Sequence, residues 1–143
     1  MKFSIISDTA GTKVAELACE LNEILASRVQ EKYSYVDINI VVGFRCLPET
    51  HRYQSFTRYT KKDKYLILDI YLCQEDYIKM YKIEQRFHLG NTFIDYLKKA
   101  FEKRSFDGLD SYEFIEYVIT LGKGASTSGW FSDEIDWSLD LEK

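Results

Sequence analysis

Val36-Asp37-Ile38-Asn39-Ile40-Val41-Val42-Gly43-Phe44-Arg45-Cys46 is the stretch that decides the fold. Val36, Ile38, Ile40, Val42, Phe44 and Cys46 fall on one side of an extended chain, with Asp37, Asn39 and Arg45 on the other. Successive side chains of a strand point to opposite faces, so this spacing predicts a strand with one buried face, ended at Pro48. A strand of this kind needs neighbours in a sheet and a layer of helices to cover its apolar side.

The flanks supply both. Toward the N-terminus, residues 2–7 are rich in Phe and Ile and read as a short first strand, ended by Asp8-Thr9. Val14, Leu17, Ala18, Leu21, Leu25 and Val29 then recur every three or four residues, which predicts an amphipathic helix over 11–31 lying on the sheet. Toward the C-terminus, residues 53–60 and 65–73 flank the polar connection Lys61-Lys62-Asp63-Lys64, the pattern of a β-hairpin. In the second of these strands Leu66, Leu68, Ile70 and Leu72 point one way, and Asp69 points the other, among Tyr65, Ile67 and Tyr71.

Helices follow. Met80, Ile83, Phe87, Gly90, Ile94, Leu97 and Phe101 form one apolar stripe that runs straight through Gly90. A glycine inside a helix costs about 1 kcal/mol against alanine, so a continuous helix implies that Gly90 permits close packing. Asp110 with Glu113 three residues later reads as a capping box for a last helix over 111–121, ended by Gly122-Lys123-Gly124. The expected fold is therefore α+β, a mostly antiparallel sheet packed against several amphipathic helices, in a single domain over residues 1–143.

Composition agrees with a packed chain. Hydrophobic residues make up 45% and aromatics 15%, ample for a core without staples. The apolar patch at the N-terminus is too short for a signal-peptide core and no run approaches a spanning helix, so a soluble cytosolic chain is expected, with no membrane partner. Cys19, Cys46 and Cys73 are odd in number, far apart and set in apolar patterns, which predicts reduced core cysteines. The net charge of −4 sits wholly in residues 130–143, where Asp133, Glu134, Asp136, Asp140 and Glu142 face Lys143 alone.

Catalytic and cofactor signatures are weak. Gly122-Lys123-Gly124-Ala125-Ser126-Thr127 lacks the order and the strand-to-helix setting of a phosphate loop and reads as a linker. Asp133-Glu134-x-Asp136 lacks the glycine turn and closing glutamate of a calcium loop, and neither His51 nor His88 stands at a metal-ligand spacing. His88 lies four residues after Glu84, where a local hydrogen bond is the expected use. No enzyme, cofactor or metal is expected. Lys61-Lys62-x-Lys64 and Lys98-Lys99 with Lys103-Arg104 have the charge for nucleic acid, but a net negative chain without a recognised motif makes direct nucleic-acid binding unexpected. The acidic end has three readings: a solvated tail, a tail docking on the basic hairpin at 52–64, or an interface in which Trp130 and Trp137 are anchors ringed by Asp133, Glu134, Asp136 and Asp140.

Three stretches together resemble a known family: Phe56-Thr57-Arg58-Tyr59 running into Tyr65-Leu66-Ile67-Leu68-Asp69-Ile70; Glu84-Gln85-Arg86-Phe87-His88-Leu89-Gly90-Asn91-Thr92-Phe93; and Gly129-Trp130-Phe131-x-Asp133-Glu134-Ile135-Asp136-Trp137-Ser138-x-Asp140-Leu141. The chain is similar, over roughly residues 50–141, to small immunity proteins of bacterial polymorphic-toxin and contact-dependent growth inhibition systems. The resemblance implies a cytosolic antidote that binds the C-terminal toxic domain of a cognate effector, and the acidic, aromatic C-terminus suits a basic nuclease as that toxin. It also implies that matched stretches can be framework, with Trp130 and Trp137 in the core and Arg58, Asp69 and Arg86 in a buried ionic network. The alternatives are an adaptor with no toxin partner and a small hydrolase with dispersed catalytic residues.

Overall fold

The computed structural model describes residues 1–8, 11–47, 54–125 and 130–131. Four strands and four helices follow in the order β1 (Lys2–Ser7), α1 (Lys13–Lys32), β2 (Asn39–Leu47), β3 (Phe56–Thr60), β4 (Tyr65–Cys73), α2 (Gln74–Lys79), α3 (Lys82–Lys103) and α4 (Ser111–Lys123). The class is α+β, as the alternating and helical periods predict.

The sheet order is β1-β2-β4-β3. β1 runs parallel to β2 and β2 parallel to β4, while only the β3–β4 hairpin is antiparallel. The sheet is thus mixed, which corrects the expectation of a mostly antiparallel one. The reason is topological: the helix between β1 and β2 carries the chain back to the starting end, so both strands run the same way. After β2 the chain passes beyond the place that β4 will take and lays down β3 first. β4 then returns between β2 and β3, parallel to one and antiparallel to the other. The hairpin turn closes at Lys64, whose φ of 54° is left-handed.

α1 begins at Thr12, whose hydroxyl accepts from the Ala15 backbone N–H at 3.1 Å. It buries Val14, Leu17, Ala18, Leu21, Leu25 and Val29, the stripe seen in the sequence. Its polar side does further work at the sheet margin. Asn22 Oδ1 accepts from the Ile5 N–H at 2.9 Å and Gln30 Oε1 from the Phe3 N–H at 3.1 Å. β1 is an outer strand, and these two side chains answer backbone donors that no neighbouring strand can reach.

α3 is continuous through Gly90, and α4 is capped by Asp110, whose carboxylate accepts from the Glu113 N–H. All helix packing falls on one side of the sheet. Phe3 meets Phe93 of α3 and Phe114 of α4, Tyr59 meets Phe106, and Ile40, Val42, Phe44, Leu66, Leu68 and Ile70 join the same buried cluster. α2, one short helix straight after β4, was not predicted; it buries Tyr77.

Trp130 and Phe131 close the core from outside the helices. Trp130 is 1% exposed, and the Phe131 ring lies against α3 at Gly90 and against α4 at Gly122. A Cβ at Gly90 would come within 3.0 Å of that ring, and one at Gly122 within 2.2 Å. Gly90 therefore does permit close packing. Phe131 holds this place with φ at 56°, a conformation that side chains other than glycine rarely adopt.

The three cysteines are free, but Cys19 is exposed, contrary to the expectation that all lie in the core; it falls outside the α1 stripe. His88 accepts or donates at Nδ1 to the Tyr77 hydroxyl at 2.6 Å, so its side-chain partner is Tyr77 where Glu84 was expected.

Candidate binding surface

The face of the sheet away from the helices is bare among the described residues. Its side chains are the outward members of the alternation: Ser4 and Ile6 of β1, Val41, Gly43 and Arg45 of β2, Ile67, Asp69 and Tyr71 of β4, and Phe56 and Arg58 of β3. Strand register sets them in rows. Ile6, Gly43, Asp69 and Phe56 lie side by side across four strands, and Ser4, Val41, Ile67 and Arg58 form the next row. Ile6 is 53% exposed, Phe56 42% and Tyr65 41%, so three large apolar side chains of one face stand in solvent. Parallel strands are normally covered on both faces, and the described residues leave this face without such a cover.

One ion cluster sits in the middle of this face. Asp69 is buried, and its Oδ1 accepts from Arg45 Nε at 3.3 Å. Arg45 Nη1 donates in turn to Asp8 at the end of β1. Gly43, paired with Asp69 in the register, makes the room: a Cβ there would stand 3.3 Å from Asp69 Oδ1. Partial burial works against the charge on Arg45, but the carboxylates of Asp69 and Asp8 outweigh it and raise the guanidinium above its ordinary value. The cluster fixes the arginine's direction on this face.

The residues singled out from the sequence fall in different places. Asp69 is answered by Arg45, where the resemblance had implied Arg58 and Arg86. Arg58 stands at the outer strand, in a row with Ile67, and borders a groove between β3 and α3. Arg86 is buried on the helical side, where its Nε donates to Glu20 Oε1 at 2.9 Å. The same Glu20 oxygen accepts from Trp130 Nε1 at 2.9 Å. Trp130 is therefore packed in the core in this structure and ties the chain to α1 and α3. Asp133, Glu134, Asp136, Trp137 and Asp140 lie outside the described residues, as does His51. Arg45 and Glu20 were missed because register and helix packing, not spacing along the chain, bring them to their partners.

Among the described residues no cluster of three or more His, Cys, Asp or Glu side chains is arranged to hold a metal ion, and no helix is long and apolar enough to cross a membrane. What the described geometry offers is a patterned surface, the means by which one protein recognises another. Comparison with known families makes the class specific. Residues 1–123 match the family model described as Immunity protein 44, and the chain belongs to that family. The match takes in the N-terminal third, which the resemblance at 50–141 did not, and stops before Trp130. No curated protein and no solved structure matches the chain.

Proposed function

We propose that this immunity protein binds the C-terminal toxic domain of a cognate effector in the cytosol and neutralises it by covering its working surface, without catalysing a reaction. Family membership supports the immunity role. The observation that carries the mode of action is the sheet face left bare by the described residues, with Ile6, Phe56 and Ile67 around the Arg45–Asp69 pair. Covering it would remove apolar area from water while the paired charges, already neutralised within the chain, need no new partner.

The toxin is a nuclease in this proposal. The charge of the chain supports that reading, since all of its net −4 lies in residues 130–143 and suits a basic nucleic-acid enzyme. Asp133, Glu134, Asp136, Trp137 and Asp140 are the acidic and aromatic contacts of this second surface. Opposite charge speeds encounter and an apolar centre slows release, the two properties that an antidote needs.

The experiment is a growth assay. The partner captured by this protein is expressed as its C-terminal domain, alone and with the antidote. Toxicity alone and growth with the wild-type protein are expected. Ile6→Asp with Phe56→Asp, both on the exposed face, should abolish protection while leaving the melting temperature within a few degrees. Protection by that double variant would remove the sheet face from the proposal.

A further inference from the structure

The two outer edges of the sheet are treated differently. At β1, Asn22 and Gln30 of α1 accept the outward backbone donors of Phe3 and Ile5. At β3, no described side chain does the same, and the strand Phe56–Thr60 borders a groove. The groove has a volume of about 350 Å³, and its floor is apolar, made by Leu66 of β4 and Ala100 of α3. Its walls are basic: Arg58 on β3, with Lys103 and Arg104 at the end of α3. A second hollow continues from it past Tyr59 and Arg104 to Lys61 and Asp107. Arg58, Lys61, Lys103 and Arg104 are all exposed, in a stretch of chain whose residues 1–129 carry no net charge.

We infer that the outer edge of β3 and the basic groove beside it form a docking surface for an extended, acidic polypeptide segment of a partner protein. An open strand edge supplies main-chain hydrogen bonds to another strand, and alternate guest side chains can then meet the floor and the walls. The cations choose the guest. A second copy of β3 would bring Arg58 against Arg58, so self-pairing is opposed, whereas a strand bearing Asp or Glu is attracted.

Nucleic acid fits less well. It has no backbone donors to continue a sheet. The one aromatic ring in the groove, Tyr59, already carries the Arg104 guanidinium 5.2 Å from its centre, so it is not a free stacking platform. This surface meets the bare face at Arg58 but extends to Lys61, Lys103 and Arg104 beyond it, and it does not depend on the toxin reading.

The test is fluorescence anisotropy of the full chain with three labelled probes: a decapeptide alternating Glu and Val, its Lys-Val counterpart, and a single-stranded DNA decamer. The acidic peptide alone should bind, more weakly as salt rises. Arg58→Glu with Arg104→Glu should weaken it about tenfold or more, and Lys61→Glu with Lys103→Glu gives the same reading should the first variant not fold. Equal binding of the Lys peptide, tighter binding of the DNA, or no binding of any probe overturns the inference. So does acidic-peptide binding confined to a variant with Asp133, Glu134, Asp136 and Asp140 changed to their amides, because the chain's own end would then be the occupant.

Discussion

Gly122→Ala should reverse its sign according to what stands at position 131. The new methyl would lie 2.2 Å from Phe131 Cδ2, far inside contact distance, so in the wild-type background the ring must leave. Phe131 is 3% exposed, and losing its burial costs about 2–3 kcal/mol. Two gains oppose that loss. Alanine is better than glycine in a helix by up to about 1 kcal/mol. The left-handed backbone of Phe131 can relax, which returns about 1 kcal/mol more. The expected net effect is a loss of about 1 kcal/mol at most, a fall in melting temperature of up to roughly 5 °C for a chain of this size. In a Phe131→Ala background the clash is gone, and Gly122→Ala should then stabilise by up to about 1 kcal/mol. The measurement is a double-mutant cycle by urea denaturation, with acrylamide quenching of tryptophan reporting release of Trp130. Equal effects of Gly122→Ala in the two backgrounds would refute the idea that the glycine exists to admit the ring.

Two further outcomes follow from burial. Desolvation holds His88 below its ordinary 6.5, only partly offset by Asp76 and Glu84, so the unfolded chain takes up its proton first. Stability from this residue is complete above the unfolded value and declines as pH falls from there toward the folded one. Wild type should lose more melting temperature than His88→Gln between about pH 7.5 and pH 5.5, and identical slopes would dismiss the effect. Cys19 is exposed while Cys46 is buried, its thiol pushed up by desolvation, so Ellman's reagent should modify Cys19 rapidly in the native protein and Cys46 only on unfolding.

Local periodicity exposed much of the framework to a reading of the sequence. The α1 stripe matches residue for residue, β4 has its expected limits, and Asp69 does lie opposite Leu66 and Leu68. Strand direction was hidden because alternation is the same in parallel and antiparallel neighbours, and only the path of the chain decides. α2 was hidden because six residues hold less than two turns, too few for a period. Among the site residues, Asp69 announced itself as a carboxylate in an apolar strand, yet its partner Arg45 is set by the β2–β4 register. Trp130 stood beside acids in the chain and so invited a surface reading, while its indole is tied to Glu20, 110 residues away in sequence. Long-range pairings of that kind leave no mark on spacing.

One-sided layering has a consequence for how such a chain can change. In β2 and β4 the even residues hold the helices and the odd residues meet solvent, so adjacent positions answer to separate demands. Substitutions at 41, 67 or 71 can reshape the outward surface without disturbing Val42, Leu68 or Ile70 beneath it. A sheet divided in this way lets the outward surface be rewritten while the core stays as it is, which is what an antidote would need if, as proposed, that surface meets the toxin. Gly43 and Asp69 are the exception. They lie against each other on the outward face, and a side chain at 43 would press on the Asp69 carboxylate.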